Sequence, residues 1–236
     1  MIYNLIGRRE RGKTTLGYGM ARKLRKRIII DARQMIQRID VVRIHRADDL
    51  RPALLELVTD DAVSEVVYQP QDDDLEVAFD AWTAATKERI VLSPSIPFAV
   101  MVDEVSFYKL ETARFQWLAK CTPREAVHII LTAHRPADIP TSIRAIADHW
   151  CIFSTTQEHD LDVIEKRSGS PRVVNAIRRL QGRSYVHWDD ARGEMAVCDD
   201  PKVWFVALKS ADRSIEVPRL VEPSTPRSVE DWELEP

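Results

Sequence analysis

The chain has 236 residues, 44% hydrophobic and 30% charged, with a formal net charge of −3. That length suits one large α/β domain, or one domain plus a small appendage, with enough apolar residues for a real core. No apolar run approaches the ~20 residues of a membrane span, which excludes an ordinary spanning helix, and the near-neutral balance argues neither for nor against nucleic acid.

Taken in chain order, Ile2–Ile6 is a short apolar run that ends at Gly7, as a buried strand would. It carries no basic n-region or cleavage site, so no signal peptide is expected. Thr14–Lys26 has Leu16, Met20 and Leu24 four apart, which predicts an amphipathic helix with Arg22–Arg27 at its C-terminus. Arg27–Asp31 reads as the next buried strand, Leu50–Val58 as a helix and Ser64–Gln69 as a strand. Asp72–Asp74 can cap a helix over Leu75–Arg89, with Leu75, Phe79 and Trp82 on one face. Phe98–Val102 is a wholly apolar strand. Leu110–Lys120 follows as a helix, Val127–Ala133 as a strand, Ser142–Ala147 as a short helix and His149–Ser154 as a strand. Asp160–Arg167 and Arg172–Leu180 read as helices, Ser184–Trp188 as the last strand and Asp189–Gly193 as a turn. Residues 1–209 form the expected domain. The Pro-containing, acidic stretch 210–236 is expected to be a partly disordered tail.

Strands alternating with helices predict an α/β fold with a mostly parallel central sheet covered on both faces. Ligands of such sheets bind at the C-terminal ends of the strands. Gly7, Asp103 and His134 each follow a predicted strand and can meet on that edge.

Two motifs carry chemistry. The run Gly7-Arg8-Arg9-Glu10-Arg11-Gly12-Lys13-Thr14, followed by Thr15, fits G-x-x-x-x-G-K-[ST] between a strand and a helix. Glycines at those two places let the backbone turn its N–H groups onto phosphate, and the helix N-terminus adds its dipole. Lys13 would reach the β and γ phosphates of ATP, and Thr14 would supply a hydroxyl to Mg²⁺. Arg8, Arg9 and Arg11 either touch phosphate or DNA or point to solvent while the backbone binds. The second motif is Asp103-Glu104, closing the Phe98–Val102 strand. Asp103 would hold the Mg²⁺ shell and Glu104 would polarise the attacking water as general base. A glutamate directly after the aspartate suggests the P-loop NTPase branch with an extra strand between the two motif strands, whose members hydrolyse nucleotide to drive machines.

The stretch Thr132-Ala133-His134-Arg135-Pro136, followed by Asp138-Ile139-Pro140 and Ser142-Ile143-Arg144, resembles the HerA–FtsK superfamily of DNA-pumping ATPases. There a strand ends in a polar sensor followed by Arg-Pro. Thr156–Asp162 and Tyr185–Asp189 are similar to the small genome-packaging ATPases of tailless, membrane-containing viruses. The resemblance covers about residues 1–190 and implies a homo-oligomeric ring, hexamer or pentamer. The ring would act on double-stranded DNA without sequence preference, in the cytoplasm of a host cell or on the virion, with a portal or capsid-vertex protein as partner. It also implies that His134 stands at the γ-phosphate sensor position, where the family usually has glutamine. A histidine there can change charge near neutral pH, which a glutamine cannot. The family's trans-acting arginine corresponds to Arg124, with Arg114 as fallback and Arg144 near the subunit boundary. The related readings are a cellular or conjugative DNA pump, a filamentous-phage-type extrusion ATPase and a nucleotide-dependent binding switch.

Residues 1–46 hold thirteen Lys/Arg against three acids, and residues 47–80 hold eleven acids against Arg51 alone. Arg22–Arg27 with Arg43–Arg46, and Lys166, Arg167, Arg172, Arg178, Arg179 and Arg183, are either DNA-phosphate contacts or solvated helix faces. Cys121, Cys151 and Cys198 lack metal-ligand spacing and read as reduced thiols of a cytosolic protein, buried as small hydrophobes.

Overall fold

The structure, a computed structural model, describes residues 1–31, 33–36, 41–70, 80–87, 97–108, 110 and 113–200. The acidic tail 210–236, the Asp72–Asp74 cap, residues 75–79 and 88–89 of the expected helix, and the side chain of Arg114 lie outside the described residues.

Nine strands form one sheet: β1 (Ile2–Ile6), β2 (Lys26–Asp31), β3 (Val42–Ile44), β4 (Glu65–Tyr68), β5 (Phe98–Asp103), β6 (Val127–Ala133), β7 (His149–Phe153), β8 (Tyr185–Asp189) and β9 (Glu194–Cys198). Their order is β3-β4-β2-β5-β6-β1-β7-β8-β9. The first seven in that order run parallel, while β8 and β9 add an antiparallel hairpin at one edge. β6 lies between β1 and β5, so the expected extra strand separates the two motif strands.

The helices are α1 (Lys13–Ala21), α2 (Ala47–Thr59), α3 (80–87), α4 (Ala113–Cys121), α5 (Thr141–Arg144), α6 (Glu158–Ser168) and α7 (Pro171–Arg179). They cover the two faces unequally. On one face Leu54 and Leu57 of α2, Trp82 of α3, Phe115 of α4, Ile143 of α5, Leu161 of α6 and Ile177 of α7 pack on the sheet. On the other, Leu16, Met20 and Ala21 of α1 pack on Leu5, Met101 and Ile130. The inner strands are buried on both faces, which is why they read as continuous apolar runs.

Several expectations are corrected. α1 ends at Ala21, five residues early, because the chain must turn into β2. Arg22 is therefore the C-cap of α1, while Lys26 and Arg27 already belong to β2. Lys26 is buried and donates to the carbonyls of Asp60 and Val63, each at 2.5 Å. Arg27 pairs with Glu65, and Arg25 with Asp61 at 3.2 Å. α2 starts three residues earlier than its apolar period shows, with Asp48 and Asp49 in its first turn, where the helix dipole favours acids. Ser184–Trp188 is not the last strand, since the Asp189–Gly193 turn leads into β9. β3 was not anticipated: three half-buried residues give almost no periodic signal. Cys121 is exposed at the end of α4, whereas Cys151 and Cys198 are buried.

One row of rings crosses the sheet near the start of its central strands. Tyr3 stacks on His149 with centroids 4.8 Å apart and on His128 at 6.0 Å, and His149 meets His187 at 5.4 Å. Burial pulls His128 and His187 down to about 4 and lowers His149 as well. The sign follows from linkage. The unfolded chain takes up these protons first, so the stability held above pH 6.5 is lost as pH falls towards 4. His128 alone accounts for about 3 kcal/mol of that loss. Urea melts at pH 7.5 and 4.5 should show a marked drop, and His128→Phe should flatten it by close to one proton. A variant with an unchanged pH slope would remove His128 from the account.

Candidate nucleotide site

The C-terminal ends of β1, β5, β6 and β7 share one edge, and the motif residues gather there. After β1 the backbone turns at Gly7, with φ 150°, and enters α1 through Gly12, with φ 100°. A Cβ on Gly7 would stand 2.6 Å from the Cβ of Phe153 on β7, so only glycine fits. α1 has no side-chain cap at Gly12, which leaves its first N–H groups to an anion.

Lys13 is folded back into the loop. Its Nζ donates to the carbonyls of Gly7 at 2.8 Å and Arg8 at 3.0 Å. It also lies 3.6 Å from Glu104 Oε1 and 3.4 Å from His134 Nδ1. Burial holds its ammonium below the usual lysine range, and Glu104 and Asp103 oppose that shift.

Thr14 Oγ1 donates to the Asp103 carboxylate, 2.9 Å from Oδ1 and 3.1 Å from Oδ2. Burial pushes Asp103 up to about 6, against hydrogen bonds from Thr132 and Thr14 that favour its ionised form. Thr14 and Asp103 are thus an adjacent pair of oxygen donors, which suits a hard cation such as Mg²⁺. Among the described residues no group of three or more His, Cys, Asp or Glu could hold a metal alone. Phosphate oxygens and water would have to complete such a shell.

The chain reverses at Glu104, whose φ of 56° is left-handed, a conformation that costs a non-glycine residue about 1–3 kcal/mol. That bend separates two consecutive carboxylates. Asp103 stays beside Thr14, while Glu104 turns towards Lys13 and His134. Glu104 Oε2 is 2.5 Å from His134 Nε2, but it lies off the line of a good hydrogen bond and is left without one. Nδ1 of the imidazole faces the Lys13 ammonium, while Nε2 faces the Glu104 carboxylate.

Thr132 was not singled out from sequence, yet it sets both carboxylates. Its Oγ1 donates to Asp103 Oδ1 at 2.7 Å and accepts the Glu104 N–H at 2.8 Å. The register that pairs Val102 with Leu131 brings it alongside Asp103. No spacing rule along the chain reveals that neighbour.

The loop arginines are not simply solvated. Arg8 donates to Thr156 Oγ1, beyond β7, and Arg11 to the carbonyl of Gly182 at 2.6 Å. Arg9 instead points its Nε at His134 Nε2, 3.5 Å away. Glu10 is exposed with φ 61°, and Thr15 is exposed on α1.

Arg124 is not brought to this site. It precedes β6, at the opposite end of that strand from His134. There its guanidinium donates to Asp148 Oδ2 at 2.9 Å and to the Ile146 carbonyl at 3.1 Å. Arg135 pairs with buried Asp160 at 3.2 Å, tying the end of β6 to α6. Arg144 donates to Thr141 on its own helix. In the second basic group, Arg167 pairs with Asp190 at 2.6 Å and Arg178 with Glu158 at 2.7 Å.

Comparison with solved structures finds this architecture elsewhere. The genome packaging NTPase from Sulfolobus turreted icosahedral virus 2, in complex with sulfate, matches with a TM-score of 0.63 at 19% identity, over 83% of this chain and 94% of that one. The same protein in complex with ATP-gammaS gives 0.63 at 18%, over 83% and 95%. VirB4 of Thermoanaerobacter pseudethanolicus gives 0.55 at 10%, over 82% and 87%. No protein-family profile and no curated protein sequence matches the chain. The chain thus shares its fold with these proteins. Among the described residues no helix is long and apolar enough to cross a membrane.

Proposed function

We propose that this chain is a Mg²⁺-dependent ATPase that moves double-stranded DNA as part of a homo-oligomeric ring, in the manner of a viral genome-packaging motor. The observation that carries the reading is the convergence of Lys13, Thr14, Asp103, Glu104 and His134 on one strand edge beside an uncapped helix N-terminus. The likeness to a packaging NTPase supports the choice of work output.

The backbone of Gly7–Thr14 would seat the phosphates, with Lys13 exchanging its loop carbonyls for β and γ oxygens. Thr14 and Asp103 would hold Mg²⁺, which neutralises phosphate charge when bound. Glu104 would take the proton of the attacking water. His134, in contact with both Lys13 and Glu104, would report the γ-phosphate to the Arg135–Asp160 tie and so to α6. A ring would let Arg124 act on a neighbouring subunit, at the cost of its pair with Asp148. DNA would be gripped through phosphates, so its effect should fade with salt.

The test is the steady-state ATPase rate with and without double-stranded DNA across a salt series. A DNA-dependent rise that salt abolishes supports the motor reading. Turnover that ignores DNA at every salt concentration overturns the translocase part and leaves an ATPase of another purpose.

A further inference from the structure

We infer that Arg9, inside the phosphate loop, is a catalytic arginine that acts in its own subunit and contacts the γ-phosphate as charge builds during hydrolysis. The inference rests on the ATPase reading above. Its basis is a divergence among three neighbouring side chains. Arg8 and Arg11 are tethered outward, to Thr156 and to the carbonyl of Gly182. Arg9 turns the other way, onto His134 Nε2, the nitrogen that lies 2.5 Å from the Glu104 carboxylate. Lys13 stands at the other nitrogen of the same ring, 3.4 Å away. Lys13 and Arg9 therefore bracket His134, and the cluster Lys13–His134–Glu104–Arg9 surrounds the place where a terminal phosphate and its attacking water would meet.

The chemistry needs a cation there. The water oxygen attacks phosphorus while Glu104 takes a water proton. The bond to the bridging oxygen breaks, its electron pair leaving on ADP. Negative charge spreads over the γ oxygens and the leaving oxygen, and a planar guanidinium with several N–H donors matches two of them at once. Arg9 is exposed and, among the described residues, makes only a long hydrogen bond to His134, so little there holds it back from closing onto phosphate. Arg124, the arginine suggested by resemblance, is at the far end of β6 and already engaged with Asp148 and the Ile146 carbonyl.

The test uses the full chain with Arg9→Ala and Arg9→Lys. Affinity is measured for ADP with aluminium fluoride, a mimic of the transferring phosphoryl group, and for a non-hydrolysable ATP analogue. Arg9→Ala should weaken the mimic roughly 10²–10³-fold and slow turnover by a similar factor. The ground-state analogue should change less than about threefold, and Arg9→Lys should recover little, because lysine lacks the fork. In mixed assemblies, Arg9→Ala subunits combined with Glu104→Gln subunits should stay inactive, since each subunit lacks one member of its own site. Recovered activity in the mixture means that Arg9 serves its neighbour, and overturns the proposal. Equal loss of both ligands, or no loss while wild type turns over, overturns it too. A wild type that neither hydrolyses ATP nor binds the mimic removes the ATPase reading itself, and the Arg9 proposal with it.

Discussion

Replacing Glu104 by glutamine should slow ATP turnover by about 10²–10⁴-fold, the usual contribution of a positioned general base. The substitution keeps the shape and the second oxygen, so ATP affinity should hold within a few-fold. The protein should fold about as well, because losing the contact with Lys13 and relieving the burial of a carboxylate oppose each other. Glu104 is 3% exposed, and one of its oxygens has no hydrogen bond of good geometry. A neutral amide there removes a buried charge that is only partly matched. The measurements are phosphate release under saturating ATP, equilibrium binding of ATP to the variant, and a thermal melt. Loss of turnover with binding and melting temperature intact identifies Glu104 as the base. A variant that keeps more than a tenth of wild-type turnover points to a different group. Asp103 could not take over easily, since Thr14 and Thr132 already occupy its oxygens.

How much of this could be read in advance differs from element to element. The phosphate loop and Asp103-Glu104 were visible because their chemistry dictates residue type at fixed spacing along the chain. The parallel strands were visible because burial on both faces leaves uninterrupted apolar runs such as Phe98–Val102 and Val127–Ala133. The edge elements were not. β3 is three half-buried residues, and β9 alternates too weakly to stand out before its hairpin with β8 is known. The end of α1 was misjudged because Leu24 continues a four-residue period that the turn into β2 interrupts. Within the site, the hidden residues belong to sheet register and not to spacing. Thr132 meets Asp103 because β6 lies next to β5, and Arg9, itself part of the loop motif, meets His134 because β6 also lies next to β1. The left-handed turn at Glu104 was equally invisible, although it is what points the adjacent carboxylates at different neighbours.

Lys13→Met should abolish tight ATP binding, by roughly 30-fold or more, because charged hydrogen bonds to phosphate are lost. A second consequence tests the site without any nucleotide. Lys13 and Glu104 both have side chains only 4% exposed, and they lie 3.6 Å apart. Removing the lysine alone leaves Glu104 with His134 as its close partner among the described residues, and the nucleotide-free chain should lose about 2–3 kcal/mol, towards the low end for a broken buried pair. Lys13→Met combined with Glu104→Gln removes both charges. The double variant should return to within about 1 kcal/mol of wild type, as a buried pair replaced by neutral groups commonly does. Denaturant melts of the four proteins complete the cycle, with an expected coupling of about 1–3 kcal/mol. Strict additivity would mean that the two groups do not interact when the site is empty. Coupling has a functional meaning. Under the proposed mechanism, phosphate would draw Lys13 from the carbonyls of Gly7 and Arg8 and from Glu104. Binding and base activation would then be one rearrangement.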